Sequence, residues 1–194
     1  VTSNGYARLE IKRDAVGNEL ESLYFDEKNR PMDSGTSAWR ETTRYDNRGR
    51  KTESSFYYAP TSPVWLERVI AQTTLNYDSK GNTIRWACFD TNGQPSIDRS
   101  FGHHAWTKGY DARGNVTNQT YLGRDQKPIR IKSGYAETRM VYDRRGLMLS
   151  RAYFGPDGAP ALDLSDGTHL TRWDYDAKGN WTNIVYLGLN REPI

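Results

Sequence analysis

Short runs of apolar and polar residues recur along the whole chain, separated by segments rich in Gly, Asp, Asn and Pro. Examples are 135–142 (YAETRMVY) and 181–187 (WTNIVYL), both rich in aromatic and β-branched side chains. Such runs between turn-forming residues are typical of β-strands. The pattern therefore predicts an all-β protein with negligible helix.

A motif that reads Tyr-Asp-x-x-Gly-Asn, with small variations, separates the two runs of each pair. Its aspartates recur in steps of 32 or 33 residues, at Asp14, Asp46, Asp78, Asp111, Asp143 and Asp176. Its glycines are Gly17, Gly49, Gly81, Gly114, Gly146 and Gly179. A proline follows each aspartate by 17 residues, at Pro31, Pro63, Pro95, Pro128, Pro160 and Pro193. A fixed period of this kind predicts six tandem repeat units.

Asp followed by Gly three positions later predicts a three-residue hairpin loop that is closed by a β-bulge. The Asp side chain caps the turn, and Gly adopts positive φ without a steric penalty. This interpretation gives the six aspartates a structural role and makes them poor candidates for catalytic acids. Each unit is then two antiparallel strands, and six units predict twelve strands in a curved or coiled, solenoid-like antiparallel sheet.

We predict a single repeat domain over 1–194, with units at approximately 1–31, 32–63, 64–95, 96–128, 129–160 and 161–194. Segment 65–71 (WLERVIA) has some helical spacing, but the landmarks on both sides keep their register and favour strands there too. Solenoids usually end in polar capping repeats, and neither end here resembles one. We therefore expect an internal segment of a longer array or, alternatively, ends that pair with other copies.

The predicted hairpins divide their side chains between two faces. With regular pairing after the turn, the tyrosine before each Asp shares a face with every second residue of the following strand. That face ends in apolar residues such as Phe25 and Leu187 and is the predicted core. The opposite face is expected to combine arginine and tyrosine in one candidate binding surface. Its members are Arg8, Arg40, Arg139, Arg172, Tyr121, Tyr153 and Tyr186.

Composition narrows the function classes. The sequence is 36% hydrophobic, 26% charged and 12% aromatic, which is typical of a globular protein and not of a disordered one. No run of 18 apolar residues predicts a membrane span. The single cysteine, Cys88, excludes an internal disulfide and a cysteine-based metal site, and is interpreted as a small buried or half-buried filler. A net charge of +3 makes nucleic acid an unlikely partner.

Residues for catalysis are sparse. The histidines are His103, His104 and His169, and no recognisable nucleophile or metal-binding motif accompanies them. We interpret them as solvated strand residues. The sequence thus predicts no cofactor, no metal and no enzymatic activity, with a glycosidase-like pair of acids from different repeats as the remaining route to catalysis. The compartment is not predicted.

Segment 173–180 (WDYDAKGN) resembles the core of the bacterial RHS, or YD, repeats, and the likeness recurs in all six units. The period here is longer, and each unit adds a second turn that ends in Gly-x-Pro or a variant of it. The resemblance implies a bacterial source and a scaffold, shell or recognition role within a large multidomain protein. It implies no catalytic site.

Two functions remain after these exclusions. The first is a protein-interaction scaffold or spacer whose partner is another protein or another domain of the parent chain. The second is a carbohydrate or cell-wall binding module, since sugars stack on flat aromatic faces. The aromatic candidates for it are Trp39, Trp65, Trp86, Trp106 and Trp181. Packing of these tryptophans within the fold is the simpler interpretation.

Overall fold

The computed structural model describes residues 5–32, 38–58 and 70–194, and within these ranges it contains twelve β-strands and no helix. The strands are β1 (Arg8–Arg13), β2 (Glu19–Phe25), β3 (Arg40–Tyr45), β4 (Lys51–Tyr57), β5 (Gln72–Tyr77), β6 (Thr83–Phe89), β7 (Ala105–Tyr110), β8 (Val116–Leu122), β9 (Glu137–Tyr142), β10 (Met148–Phe154), β11 (Leu170–Tyr175) and β12 (Trp181–Leu187). The predicted all-β class is confirmed. Residues 65–69 of the segment 65–71 lie outside the described residues, and residues 70 and 71 are not helical. No helix in the described ranges is long and apolar enough to cross a membrane.

The strands follow one another in chain order in one antiparallel sheet, so every repeat is a hairpin and every hairpin neighbours the next. The second strand of a hairpin pairs with the first strand of the following one over three residue pairs. Between β10 and β11 these pairs are Ser150 with Arg172, Arg151 with Thr171 and Ala152 with Leu170. The same positions pair between β2 and β3, between β4 and β5, and between β8 and β9. The same geometry therefore recurs at these four junctions.

The strands group into two compact units. One consists of Val1–Asn76 with Ala87–Ser96, and the other of Tyr77–Trp86 with Ile97–Ile194. The first unit contains β1 to β4, and the second contains β7 to β12. The prediction that 1–194 is a single domain stays a prediction.

Buried side chains of the second unit concentrate at the hairpin ends that lie far from the Asp turns. In the second unit, Ala105 pairs with Leu122 and Leu170 pairs with Leu187, and all four side chains are buried. The strand end is closed by a proline that bridges back to it, as Pro128 does to Leu122. Proline has no N–H to continue the ladder, so the strand stops there. Many of the buried residues are alanine, serine or threonine, so the core of each hairpin is thin.

Candidate functional site

The Asp turns saturate their own carboxylates. In the turn of the fourth repeat, Asp111 Oδ1 accepts hydrogen bonds from the backbone N–H groups of Arg113 and Asn115, both at 2.9 Å. Asp111 Oδ2 accepts one from Asn115 Nδ2 at 2.9 Å. Gly114 has a φ of +90° and donates its N–H to the Asp111 carbonyl oxygen. The other five turns repeat this arrangement, with Arg50 and Arg145 supplying the side-chain donor in two of them.

These hydrogen bonds stabilise the ionised form of the turn carboxylates. The side-chain hydrogen bond from Asn115 is the largest cause that lowers the pKa of Asp111, and backbone donors add to it. Asn18, Asn82 and Asn180 act in the same way on their own aspartates. The backbone N–H of Arg50 lowers the pKa of Asp46 most, and the Arg145 side chain lowers that of Asp143 most. Carboxylates held in this way are poor proton donors near neutral pH.

Acid is expected to destabilise the fold through these turns. Because each folded-state pKa lies below the unfolded value, the stabilisation is complete above the unfolded pKa and is lost as pH falls through the folded pKa. Urea unfolding between pH 5 and pH 2 measures this loss. Asp111→Asn keeps an acceptor oxygen but removes one titrating group, so its stability is expected to fall less steeply. A wild-type stability that does not change below pH 4 would contradict the expectation.

Two further recurring residues tie hairpins to their neighbours in several repeats. In these repeats the tyrosine before the Asp donates its hydroxyl to a carbonyl oxygen of the preceding hairpin, as Tyr110 does to Thr83 at 2.8 Å and Tyr175 does to Met148 at 2.9 Å. A basic side chain two residues after the Asp reaches the turn of the following hairpin. Lys80 Nζ donates to the Ala112 carbonyl at 2.9 Å in this way. This role was not predicted from the sequence, although a basic residue recurs at the position in five of the six repeats.

Tyr110→Phe tests the tyrosine tie. It removes a half-buried hydroxyl that donates to a carbonyl oxygen, so we expect a loss of about 0.5–1.5 kcal/mol in the free energy of unfolding. Tyr142→Phe is the matched control, because Tyr142 occupies the same repeat position and its hydroxyl makes no hydrogen bond among the described residues. Urea unfolding of the two variants gives the comparison. Equal losses would mean that the hydrogen bond contributes nothing.

The arginines and tyrosines of the predicted binding surface do not share one face of the sheet. Thr171 pairs with Tyr186 across β11 and β12, whereas Arg172 pairs with Val185. Directly opposed residues share a face, so Arg172 and Tyr186 lie on opposite faces. The β9–β10 hairpin shows the same, because Arg139 pairs with Ala152 and Thr138 pairs with Tyr153.

A β-bulge explains why the face prediction was wrong. Tyr175 pairs with Trp181, but Asp174 pairs with Asn183, so one extra residue stands in the second strand directly after the turn. An inserted residue moves every later side chain of its strand to the other face. The same shift occurs in the other hairpins whose register is described.

The arginine side of the sheet is largely occupied by internal contacts. The guanidinium groups of three predicted site residues lie over aromatic rings: Arg8 over Phe25 at 4.2 Å, Arg40 over Tyr57 at 4.8 Å and Arg139 over Phe154 at 4.0 Å. Each also pairs with a carboxylate, namely Glu10, Glu21 and Glu137 respectively. Arg172 is exposed and has no such stack or ion pair with a described residue. It is the predicted arginine most available to a partner.

The tyrosine side divides in the same manner. Tyr153 is only 6% exposed and its ring lies 4.6 Å from that of Tyr135, which in turn lies 6.1 Å from Tyr121. Burial raises the pKa of the Tyr121, Tyr135 and Tyr153 hydroxyls. Tyr186 occupies the same repeat position as Tyr121 and Tyr153 but is 45% exposed. Two of the three predicted tyrosines therefore contribute to packing, and Tyr186 reaches solvent.

The histidines are buried, so the prediction that they are solvated was wrong. They stand seven or eight residues before the Asp of their repeat, at the buried end of the hairpin. His169 Nδ1 lies 2.9 Å from the Tyr153 carbonyl oxygen and 3.1 Å from that of Ala161. Carbonyl oxygens only accept hydrogen bonds, so Nδ1 carries the proton in this arrangement.

The remaining candidate residues are the single cysteine and the tryptophans. Cys88 is buried and its thiol donates to the Ser96 carbonyl at 3.2 Å. Among the described residues, no group of three His, Cys, Asp or Glu side chains could hold a metal ion. Trp181 is 67% exposed, whereas Trp39, Trp86 and Trp106 are half-buried. Trp65 lies outside the described residues.

The fold defines the class of the protein as an all-β array of tandem antiparallel hairpins. No family model and no curated protein matches the sequence. Solved structures of TcdB2-TccC3 are similar. The form without its hypervariable C-terminal region has a TM-score of 0.53 and 15% identity over 92% of this chain and 8% of that chain.

Two related structures give lower scores. TcdB2-TccC3-TEV has a TM-score of 0.49 and 12% identity, over 91% of this chain and 10% of that chain. A Photorhabdus luminescens Tc holotoxin pore with a substitution in TccC3 has a TM-score of 0.42 and 18% identity, over 95% of this chain and 9% of that chain. This chain thus spans a tenth or less of the length of each structure. At such low identity the likeness concerns the fold alone.

Proposed function

We propose that the chain is a non-catalytic β-hairpin repeat module that acts as a protein-interaction scaffold or spacer within a larger bacterial protein of the RHS or YD type. The observation that carries the proposal is the use of the recurring residues. The Asp and Gly close the turns, and the tyrosines and basic residues tie neighbouring hairpins together. What the repeat preserves from unit to unit is therefore the array itself, which is what a structural module requires.

The state of the acidic residues supports a non-catalytic role. A groove of about 420 Å³ on the first unit is lined by Glu10, Ile11, Lys12, Glu21 and Leu23. Its two carboxylates already pair with Arg8 at 2.8 Å and with Arg40 at 2.6 Å. A glycosidase-like mechanism needs two carboxyl groups that both face the substrate. The two carboxylates of this groove are instead engaged in ion pairs with arginines.

Within this proposal the partner contacts fall on side chains that remain exposed on the sheet. On β11 and β12 these are Arg172 on one face, Tyr186 on the other, and Trp181 next to the last turn. Aromatic residues and arginine are the side-chain types enriched in the energetic centres of interfaces.

A carbohydrate-binding role is the second candidate, and the exposure of Trp181 and Tyr186 favours it. Arrays of cell-wall glycans and titration of tryptophan fluorescence test this role on the unmodified chain. We expect no saturable signal. Saturable binding of a sugar that Trp181→Ala abolishes would replace the scaffold proposal with the carbohydrate one.

Capture experiments with the other domains of the parent protein test the scaffold role directly. We expect the wild-type chain to retain at least one domain, and the double variant Arg172→Ala/Tyr186→Ala to lose it. Arg139→Ala/Tyr121→Phe is the comparison variant, because both side chains are engaged within the sheet. Equal retention by both variants would contradict the assignment of the contact residues, and retention of no domain by the wild type would contradict the interaction role.

A further inference from the structure

His103 lies in the connection between the third and fourth hairpins, inside an aromatic cluster. Its ring centroid is 5.0 Å from Tyr121 on β8, 5.7 Å from Trp86 on β6 and 5.9 Å from Phe101. The side chain is only 4% exposed. The backbone of the same turn is closed by two hydrogen bonds, from Asp98 N–H to the His103 carbonyl at 2.8 Å and from Gly102 N–H to the Asp98 carbonyl at 2.7 Å.

In the described part of the chain, one ring nitrogen of His103 lacks a hydrogen-bond partner that would stabilise a protonated ring. Its Nδ1 atom is buried and makes no hydrogen bond among the described residues. A neutral ring fits such a site, whereas a charged ring there loses its hydration without a compensating acceptor. Desolvation accordingly lowers the pKa of His103. His169, in the sixth hairpin, differs because its Nδ1 donates to two carbonyl oxygens.

The charged groups around His103 come from each neighbouring segment. Asp98, in the same connection, attracts a proton to the ring and raises the pKa, while the adjacent His104 lowers it, and desolvation outweighs both. The neighbouring strands contribute the neutral Trp86 ring and the Tyr121 hydroxyl, whose own pKa is raised by burial. The stem of Lys132 lies beside Gly102, which is in the same turn as His103. The balance opposes an imidazolium at this position.

We propose that His103 is an acid-sensitive latch, which holds the 98–103 turn against Trp86 and Tyr121 when its ring is neutral and releases the turn when the ring is protonated. Protonation places a cation where the ring now packs against three aromatic side chains, so the turn opens to hydrate it. The direction of the pH dependence follows from the difference between the folded-state and unfolded-state pKa of the ring. The latch is fully closed above the unfolded-state pKa of about 6.5 and is lost as pH falls below that value.

Titration of the histidine ring protons by NMR tests the latch on the unmodified chain. We expect the His103 ring to titrate below pH 6.5. Amide hydrogen exchange, corrected for the intrinsic rate at each pH, gives a local readout at the His104 N–H, which donates to the Leu122 carbonyl at 2.8 Å. Its protection is expected to fall by up to about 30-fold between pH 7.5 and pH 5.0, the limit for one group with an unfolded pKa near 6.5.

The sixth hairpin supplies an internal control. The His169 N–H donates to the Leu187 carbonyl at 2.9 Å at the same repeat position, and Thr168 stands where the fourth repeat has His103. Protection of the His169 amide is therefore expected to change less. His103→Phe and His103→Thr should both abolish the pH dependence at the His104 amide, and either variant serves if the other fails to fold. A His103 ring that titrates above pH 6.5, as its aromatic neighbours would cause if they stabilised the cation, would overturn the proposal. So would a pH dependence that survives in the variants.

Discussion

Tyr153→Ala is expected to reduce the free energy of unfolding by about 3–5 kcal/mol, the range for truncating a large buried aromatic side chain. Tyr153 is 6% exposed, and its ring centroid lies 4.6 Å from that of Tyr135. The next residue on the strand, Phe154, forms a β-bridge with Pro160. Removal of the Tyr153 side chain leaves a cavity beside the Tyr135 ring and the cross-strand residue Thr138. Urea unfolding followed by tryptophan fluorescence measures the loss.

Tyr186→Ala is the matched control, because Tyr186 occupies the same place in the next repeat but is 45% exposed. A tyrosine with that exposure contributes less buried area, so we expect a loss of about 1 kcal/mol or less. Equal losses in the free energy of unfolding for the two variants would mean that the contribution of each tyrosine to stability depends only on its position in the repeat. A large difference would assign Tyr153 to the core and leave Tyr186 for contact with a partner.

The comparison of Tyr153 with Tyr186 also shows which features of the structure could be predicted from the sequence. The Asp-x-x-Gly spacing depends on local backbone chemistry, so the turns, the hairpins and their order could be predicted from single residues. The exposure of Tyr153 and Tyr186 depends on the strand that covers each of them. Each of the two tyrosines stands ten residues after the Asp of its repeat and two residues before a glycine, so their position in the repeat does not distinguish them.

The error in the faces has a similar origin. The predicted three-residue hairpin loop includes a β-bulge. The extra residue of that bulge, Thr182 in the last hairpin, stands in the strand after the turn and has no sequence feature that marks it. One insertion exchanges the two faces of that strand, so the predicted hairpins were correct but the arginines were assigned to the same face as the wrong aromatic residues. The histidines illustrate a second limit. Their burial comes from the connections between hairpins, whose packing does not follow the strand periodicity.

These connections also contain the site of the second large expected effect. Gly134 has a φ of +97°, and a Cβ at this position would lie 2.5 Å from Leu164 Cγ and 3.0 Å from the Leu162 carbonyl oxygen. Gly167 stands at the same repeat position with a φ of +77°, and nothing lies within 4 Å of its Cβ position. The pair therefore separates backbone strain from steric overlap.

Gly167→Ala is expected to cost only the left-handed backbone penalty, about 1–2 kcal/mol in the free energy of unfolding. Gly134→Ala is expected to lose a further 1–3 kcal/mol or so, because the methyl group displaces Leu164. Leu164 is 69% exposed, so Leu164→Ala alone should change little, and in the Gly134→Ala background it should recover much of the additional loss. Equal losses for the two glycine variants, or no recovery in the double variant, would show that the 162–164 segment does not pack over Gly134. The recovery would instead establish that the connections, like the turns, are held by specific contacts between neighbouring repeats.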